Sequence, residues 1–203
     1  MFTEKLFRIV GLTGMLAGAF WALYEIGEIA GLVPITSDPA LDLIAHGLVV
    51  FVVIGLYARQ AAQAGWFGAV AFVIYLTGLM VNQGMKAIYT FVAPTLTSQF
   101  PAAAQAVGTQ PAWGIFTMAW TTLTFLGPML FGIATLRARV LPRWAAILLI
   151  VGPIFSMTGL IPLPGNPGAV LTALGFVGLS YGAWSIKSAT LTHSQPTMEA
   201  VTS

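Results

Sequence analysis

Residues 6–32, "LFRIVGLTGMLAGAFWALYEIGEIAGL", decide the class of fold. A hydrocarbon core about 30 Å thick needs roughly 20 helical residues for one crossing, and this run is long enough. After Arg8 it carries no charge until Glu25 and Glu28, three residues apart near its far end. An ionised side chain at the centre of a bilayer costs at least about 3 kcal/mol, so the depth and facing of these two carboxylates matter.

Outward from that run the pattern repeats. Hydrophobic residues make up 58% of the 203 and charged residues only 7%, and mean hydropathy is +0.89. Such a composition, gathered into long apolar blocks, excludes a water-soluble globular domain and predicts an all-α polytopic membrane protein. Six segments are long enough to span: about 6–32, 41–63, 66–92, 111–137, 142–161 and 167–188. The chain therefore reads as one six-helix membrane domain, 1–188, followed by a polar tail, 189–203, that lacks an apolar period and reads as disordered and cytoplasmic.

The formal charge of +2 reflects orientation and not a nucleic-acid partner, because the basic residues are confined to particular loops. Lys5 and Arg8 precede the first span, Arg59 lies between the second and third, Arg137, Arg139 and Arg143 between the fourth and fifth, and Lys187 ends the sixth. With both termini in the cytoplasm all seven fall on the cytoplasmic side, as the positive-inside bias requires, and Lys86 is the exception. The length of the first span, its glutamates and the lack of a small-residue cleavage site argue for a retained helix over a secretory signal. No cysteine is present, so disulfide and thiolate chemistry do not arise. Short loops and a lean extramembrane portion point to a bacterial inner membrane.

Between the spans, Asp38 is placed to cap the second helix with Pro39 in its first turn. Residues 93–110 form the longest outer connection, uncharged, with room for a short surface helix, and "IPLPGNPG", 161–168, turns the chain on the outer side. Residues 55–79 and 134–160 share a scheme of apolar helix, Ala-Arg, short link, Trp, and apolar helix closing on Thr-Gly-Leu. A duplication of this kind is a parallel repeat about an axis along the membrane normal. Positive-inside bias alone also produces the Arg matches.

Helix periodicity then sorts the faces. Gly11, Gly14, Gly18, Trp21, Glu25 and Glu28 recur every three or four residues and form one stripe, whose glycines admit a neighbouring helix closely. Asp42 and His46 share a face at i and i+4, a carboxylate placed to orient an imidazole. Asn82, Lys86 and Tyr89 form a third polar stripe, with Lys86 either the counter-ion of Glu25 or Glu28 or snorkelling to the headgroups. The fourth span adds Trp113, Trp120 and the helix-interior Pro128; the fifth adds Pro153 and Ser156. Both prolines free backbone carbonyls and bend helices around a cavity. Tyr181 and Trp184 read as interfacial anchors.

Three helices thus bring their ionisable groups to the outer leaflet, and a polar cavity open to that side is expected. Its chemistry is general acid and base: Glu25 as acid, His46 as base oriented by Asp42, with Glu28, Asn82, Lys86, Tyr89, Trp21 and Trp120 holding a lipophilic small molecule or lipid. No cofactor or metal is expected, since one intramembrane His is too few for a bis-His haem site. Nor does the chain contain a phosphate-binding Gly motif, a H-E-x-x-H pair or a G-x-S-x-G elbow. Three function classes remain: a membrane protein that binds or converts a lipophilic molecule, a proton- or ion-coupled carrier using Glu25 and Lys86, and a non-catalytic sensor or assembly protein.

Overall fold

The computed structural model describes residues 2–32, 39–158 and 166–185, and within them every regular element is helical. Helix α1 covers Phe2–Ile29 and α2 Pro39–Ala87; after a π-helical turn, Ile88–Val92, come α3, Ala93–Gln99, and α4, Pro101–Gly108. The chain closes with α5, Pro111–Ala138, α6, Arg143–Thr158, and α7, Pro167–Ser185. Glu4–Ile29, Asp42–Gln99, Pro111–Ala138 and Pro167–Ser185 are each long and apolar enough to cross a membrane, and Arg143–Met157 is a shorter apolar helix. The Asp38 cap, residues 161–165 of the outer link, Lys187 and the tail 189–203 lie outside the described residues.

Two separate helices are expected over 41–63 and 66–92, and the structure joins them almost without a loop. Helix α2 has helical backbone on both sides of Gly65, whose φ of 60° and ψ of −162° reverse the chain. That combination is accessible in practice only to glycine. The two limbs, 39–64 and 66–87, run antiparallel, so residues equidistant from Gly65 meet. Tyr57 stacks on Phe72 with centroids 4.2 Å apart, the Gln83 side-chain amide donates to the Leu43 carbonyl at 3.2 Å, and Lys86 pairs with Asp42. The second hairpin of similar sequence, between α5 and α6, turns differently, through a left-handed Arg139 at the end of α5.

Large apolar side chains face outward and small ones inward. On α1, Ile9, Leu12, Leu16, Phe20 and Leu23 are exposed while Gly11, Gly14, Ala17 and Gly18 are buried. Water would penalise that arrangement heavily; lipid does not, and small residues at the seam let backbones approach until van der Waals packing holds them. The glycine stripe of α1 meets α7: Gly11 lies against Ser180 and Trp184, Gly14 against Ser180 and Val52, and Gly18 against Ala173 and Val177. Helix α7 answers with Gly175, Gly178 and Gly182 against Leu149, Trp144 and Pro142. Around this seam Leu56, Phe131, Leu149, Phe176 and Leu179 are fully buried.

One end of the bundle gathers the basic residues. Arg59 lies over the Phe7 ring at 4.8 Å, and Arg137 over Phe67 at 4.9 Å, so the start of α1, the Gly65 turn and the end of α5 are neighbours. Glu25, Glu28, Asp42 and Lys86 belong to the opposite end, by their places on α1 and the limbs of α2. There the connection 93–110 forms the short helices α3 and α4, neither with a buried residue.

Candidate functional site

At the acidic end the helices part around a cavity of about 250 Å³. Helix α1 contributes Trp21 and Glu25, the first limb of α2 His46, and the second limb Tyr75, Gly78, Leu79, Asn82 and Lys86. Helix α5 adds Trp120, Thr121, Thr124, Phe125 and Pro128. Beyond the three helices whose ionisable groups mark the cavity in the sequence, Pro153 and Ser156 of α6, Asn166, and Ala169 and Thr172 of α7 also line it. Pro128 and Pro153 cannot donate to the carbonyls one turn earlier, those of Thr124 and Leu149. They therefore interrupt α5 and α6 where these helices meet the cavity. At its inner limit, buried Tyr75 packs between Phe131 and Phe176, with ring centroids 5.6 and 6.1 Å away.

Hydrogen bonds fix the orientation of most lining groups. The Trp21 indole N–H donates to Glu25 Oε1 at 3.1 Å, and the Trp120 indole N–H to Asn82 Oδ1 at 2.9 Å. His46 Nδ1 stands 2.9 Å from Asp42 Oδ1 and 3.0 Å from the Asp42 carbonyl oxygen. Both neighbours are acceptors, so Nδ1 carries hydrogen, and the neutral ring offers Nε2 as its lone-pair atom. Trp21 also rests against the His46 ring, 4.5 Å between centroids. One indole thus touches both residues assigned acid and base roles.

Lys86 requires a correction. Its ammonium binds Asp42 Oδ2, so the counter-ion is neither Glu25 nor Glu28, and Asp42 holds His46 through one oxygen and Lys86 through the other. Antiparallel limbs pivoting on Gly65 bring positions 42 and 86 to the same level, a pairing that the spacing of each limb alone does not reveal. Asp42 stands behind His46 and does not line the cavity.

Two other expected ligand-binding residues, Glu28 and Tyr89, are also outside it. Glu28 is almost one turn nearer the C-terminal end of α1 than Glu25, and its carboxylate engages Tyr24. Tyr89 falls in the π-helical turn Ile88–Val92 and is exposed. The wider turn shifts the register set by Asn82 and Lys86 and rotates Tyr89 off their face.

Several polar groups escape the sequence reading. Asn166 accepts from the Ser156 hydroxyl at 2.8 Å, and Thr172 donates to the Gly168 carbonyl at 3.0 Å, both on the cavity wall. Below the cavity, fully buried Gln60 donates to Thr135 at 3.0 Å. Gln60 follows Arg59 in a segment that reads as a hairpin link, and single hydroxyls in apolar helices give no periodic signal. Among the described residues no group of three His, Asp or Glu side chains is placed to hold a metal ion.

No family model, curated protein or solved structure matches the chain. Chemically, the site combines a carboxylate, an imidazole held by a carboxylate–ammonium pair, an amide with free N–H groups, and a wall of aromatic and apolar surface. It is equipped to hold an amphiphilic molecule and to exchange protons with it.

Proposed function

We propose that this chain is a six-span membrane protein, with both termini cytoplasmic, that binds a lipophilic small molecule in a cavity facing the outer leaflet. The observation that carries the proposal is the cavity itself, where every long helix places side chains and where Glu25, His46 and Asn82 converge on an apolar, aromatic space. The fold-back of α2 at Gly65 supports six crossings, because each limb has roughly the 20 residues that one needs. Basic residues at the other end support cytoplasmic termini. A bacterial inner membrane rests on the short connections between spans.

Conversion of the ligand extends the same reading. Glu25 serves as acid and His46, held by Asp42, as base, on either side of the Trp21 indole. A carrier is supported less well, since among the described residues the inner half offers few buried polar steps, the Gln60–Thr135 pair and Ser180, and Tyr181 is exposed beside Trp184.

Native mass spectrometry with extraction of bound molecules, on gently purified wild type and Glu25→Gln, tests the reading. A specific lipophilic molecule retained by wild type and lost or altered in the variant is the expected result. Identical bulk phospholipid in both would overturn it.

A further inference from the structure

We infer that the ligand class is a lipophilic monocation, an organic ammonium whose charge is received by Glu25; the inference rests on the cavity reading above. Its first support is the charge balance of the site. Lys86 is the only lysine or arginine lining the cavity, and Asp42 engages it directly. Among the described residues no salt bridge reaches Glu25, although its carboxylate lines an apolar cavity. An ionised Glu25 has only the more distant Lys86, already bound to Asp42, to offset its charge. A cation entering the cavity pairs with it directly and favours this ionised form, whereas the acid role above uses the protonated one.

The second support is what the aromatic residues still have to offer. The indole N–H groups of Trp21 and Trp120 are both consumed, by Glu25 and Asn82. Neither indole therefore has a donor left for a ligand, and what they present is ring surface. Tyr75 adds a third ring at the inner limit. Cations are attracted to the faces of such rings, most strongly to Trp and in desolvated surroundings. A neutral lipid uses the apolar wall equally well but has no use for the unpaired carboxylate.

The third support is the surplus of acceptors. Beside Glu25, His46 Nε2 offers a lone pair when the ring is neutral, and the Thr124 hydroxyl, also on the wall, is buried without a hydrogen-bond partner and can accept or donate. An anionic ligand would meet the Glu25 carboxylate with the Asn82 N–H groups, the Thr124 hydroxyl and an already paired Lys86 to favour it, none of them a free cation.

The test uses a matched pair of probes, benzyltrimethylammonium and its neutral isostere neopentylbenzene, with binding to the full chain in lipid nanodiscs read from tryptophan fluorescence. Wild type is expected to favour the ammonium by on the order of tenfold. Glu25→Gln is expected to abolish that preference while keeping the affinity for neopentylbenzene, which also reports an intact cavity. Trp120→Leu, which leaves Glu25 in place, is expected to weaken the ammonium more than the isostere. Equal affinity of wild type for both probes, or a preference that survives Glu25→Gln, would overturn the monocation and leave the cavity reading standing. Binding of neither probe would overturn both.

Discussion

The basic and acidic halves of this bundle are built from the same helices, yet apolar side chains fill the first, apart from a hollow of about 260 Å³ among Phe7, Arg8, Arg59 and Trp184, while a cavity lined by polar groups from every long helix opens the second. In the basic half, glycines of α1, α5 and α7 let backbone and side chains of neighbouring helices, the Trp144 ring against Gly178 included, approach closely, and Phe131, Phe176 and Leu179 fill what remains with no exposed surface. In the acidic half the helices part around the cavity of about 250 Å³, and close contact persists beside it where Gly152 of α6 and Gly168 of α7 meet. Prolines there interrupt α5 and α6, and polar side chains from every long helix turn inward. Lipid surrounds both halves alike, so the hydrophobic effect does not distinguish them. Close packing does, and it gives way at the cavity.

Substitutions that exchange the properties of the halves break or sharpen that contrast. Phe176→Ala should have the largest effect, costing about 2 kcal/mol, because in lipid the transfer term is small and the lost packing remains. Phe125→Ala, the same truncation on the cavity wall, should cost well under half as much, as judged by denaturation in mixed micelles. Similar losses at both sites would remove the distinction.

Gly14→Ala should follow. Its new methyl group meets Ser180 and Val52, and overpacking of this kind costs typically about 1–3 kcal/mol. Gly84→Ala should be neutral or slightly stabilising in the same melting experiment, since an outer helix position with open space gains helix propensity. A smaller loss, about 1 kcal/mol, is expected for Gly65→Ala, where φ of 60° is unfavourable for any side chain although no atom stands in the way. Addition of two residues beside Gly65 should relieve that loss if backbone conformation is its cause. An effect of similar size belongs to the Asp42–Lys86 pair, whose side chains retain 15% and 23% exposure. A double-mutant cycle with Asp42→Asn and Lys86→Met should return a coupling of about 1 kcal/mol.

Much of this contrast is legible in the sequence, and its limits have physical causes. Apolar length identifies the membrane class, and the three- and four-residue spacing of Gly11, Gly14, Gly18, Trp21 and Glu25 identifies the inward face of α1. Pro128 and Pro153, read as marking a cavity, do line one. Partnership between helices is harder to read. Lys86 meets Asp42 only because the chain reverses at Gly65, and no periodicity within either limb encodes the relative level of two limbs. Tyr89 is lost from its stripe because one π-helical turn breaks the spacing on which the stripe depends. Asn166 and Thr172 reach the cavity from the half of the chain whose spans carry no ionisable side chain at depth, where isolated polar residues carry no pattern.

The absence of cysteine from the sequence makes one experiment especially direct. Single cysteines at Thr124, on the cavity wall, and at Thr135, buried in the inner half, can be treated with a membrane-impermeant methanethiosulfonate ammonium reagent in right-side-out and inside-out vesicles. A cavity open only to the outer side predicts that Thr124→Cys is modified in right-side-out vesicles and protected in inside-out ones, while Thr135→Cys reacts in neither. Modification of Thr124→Cys from the cytoplasmic side alone, or of Thr135→Cys as readily as Thr124→Cys, would contradict it.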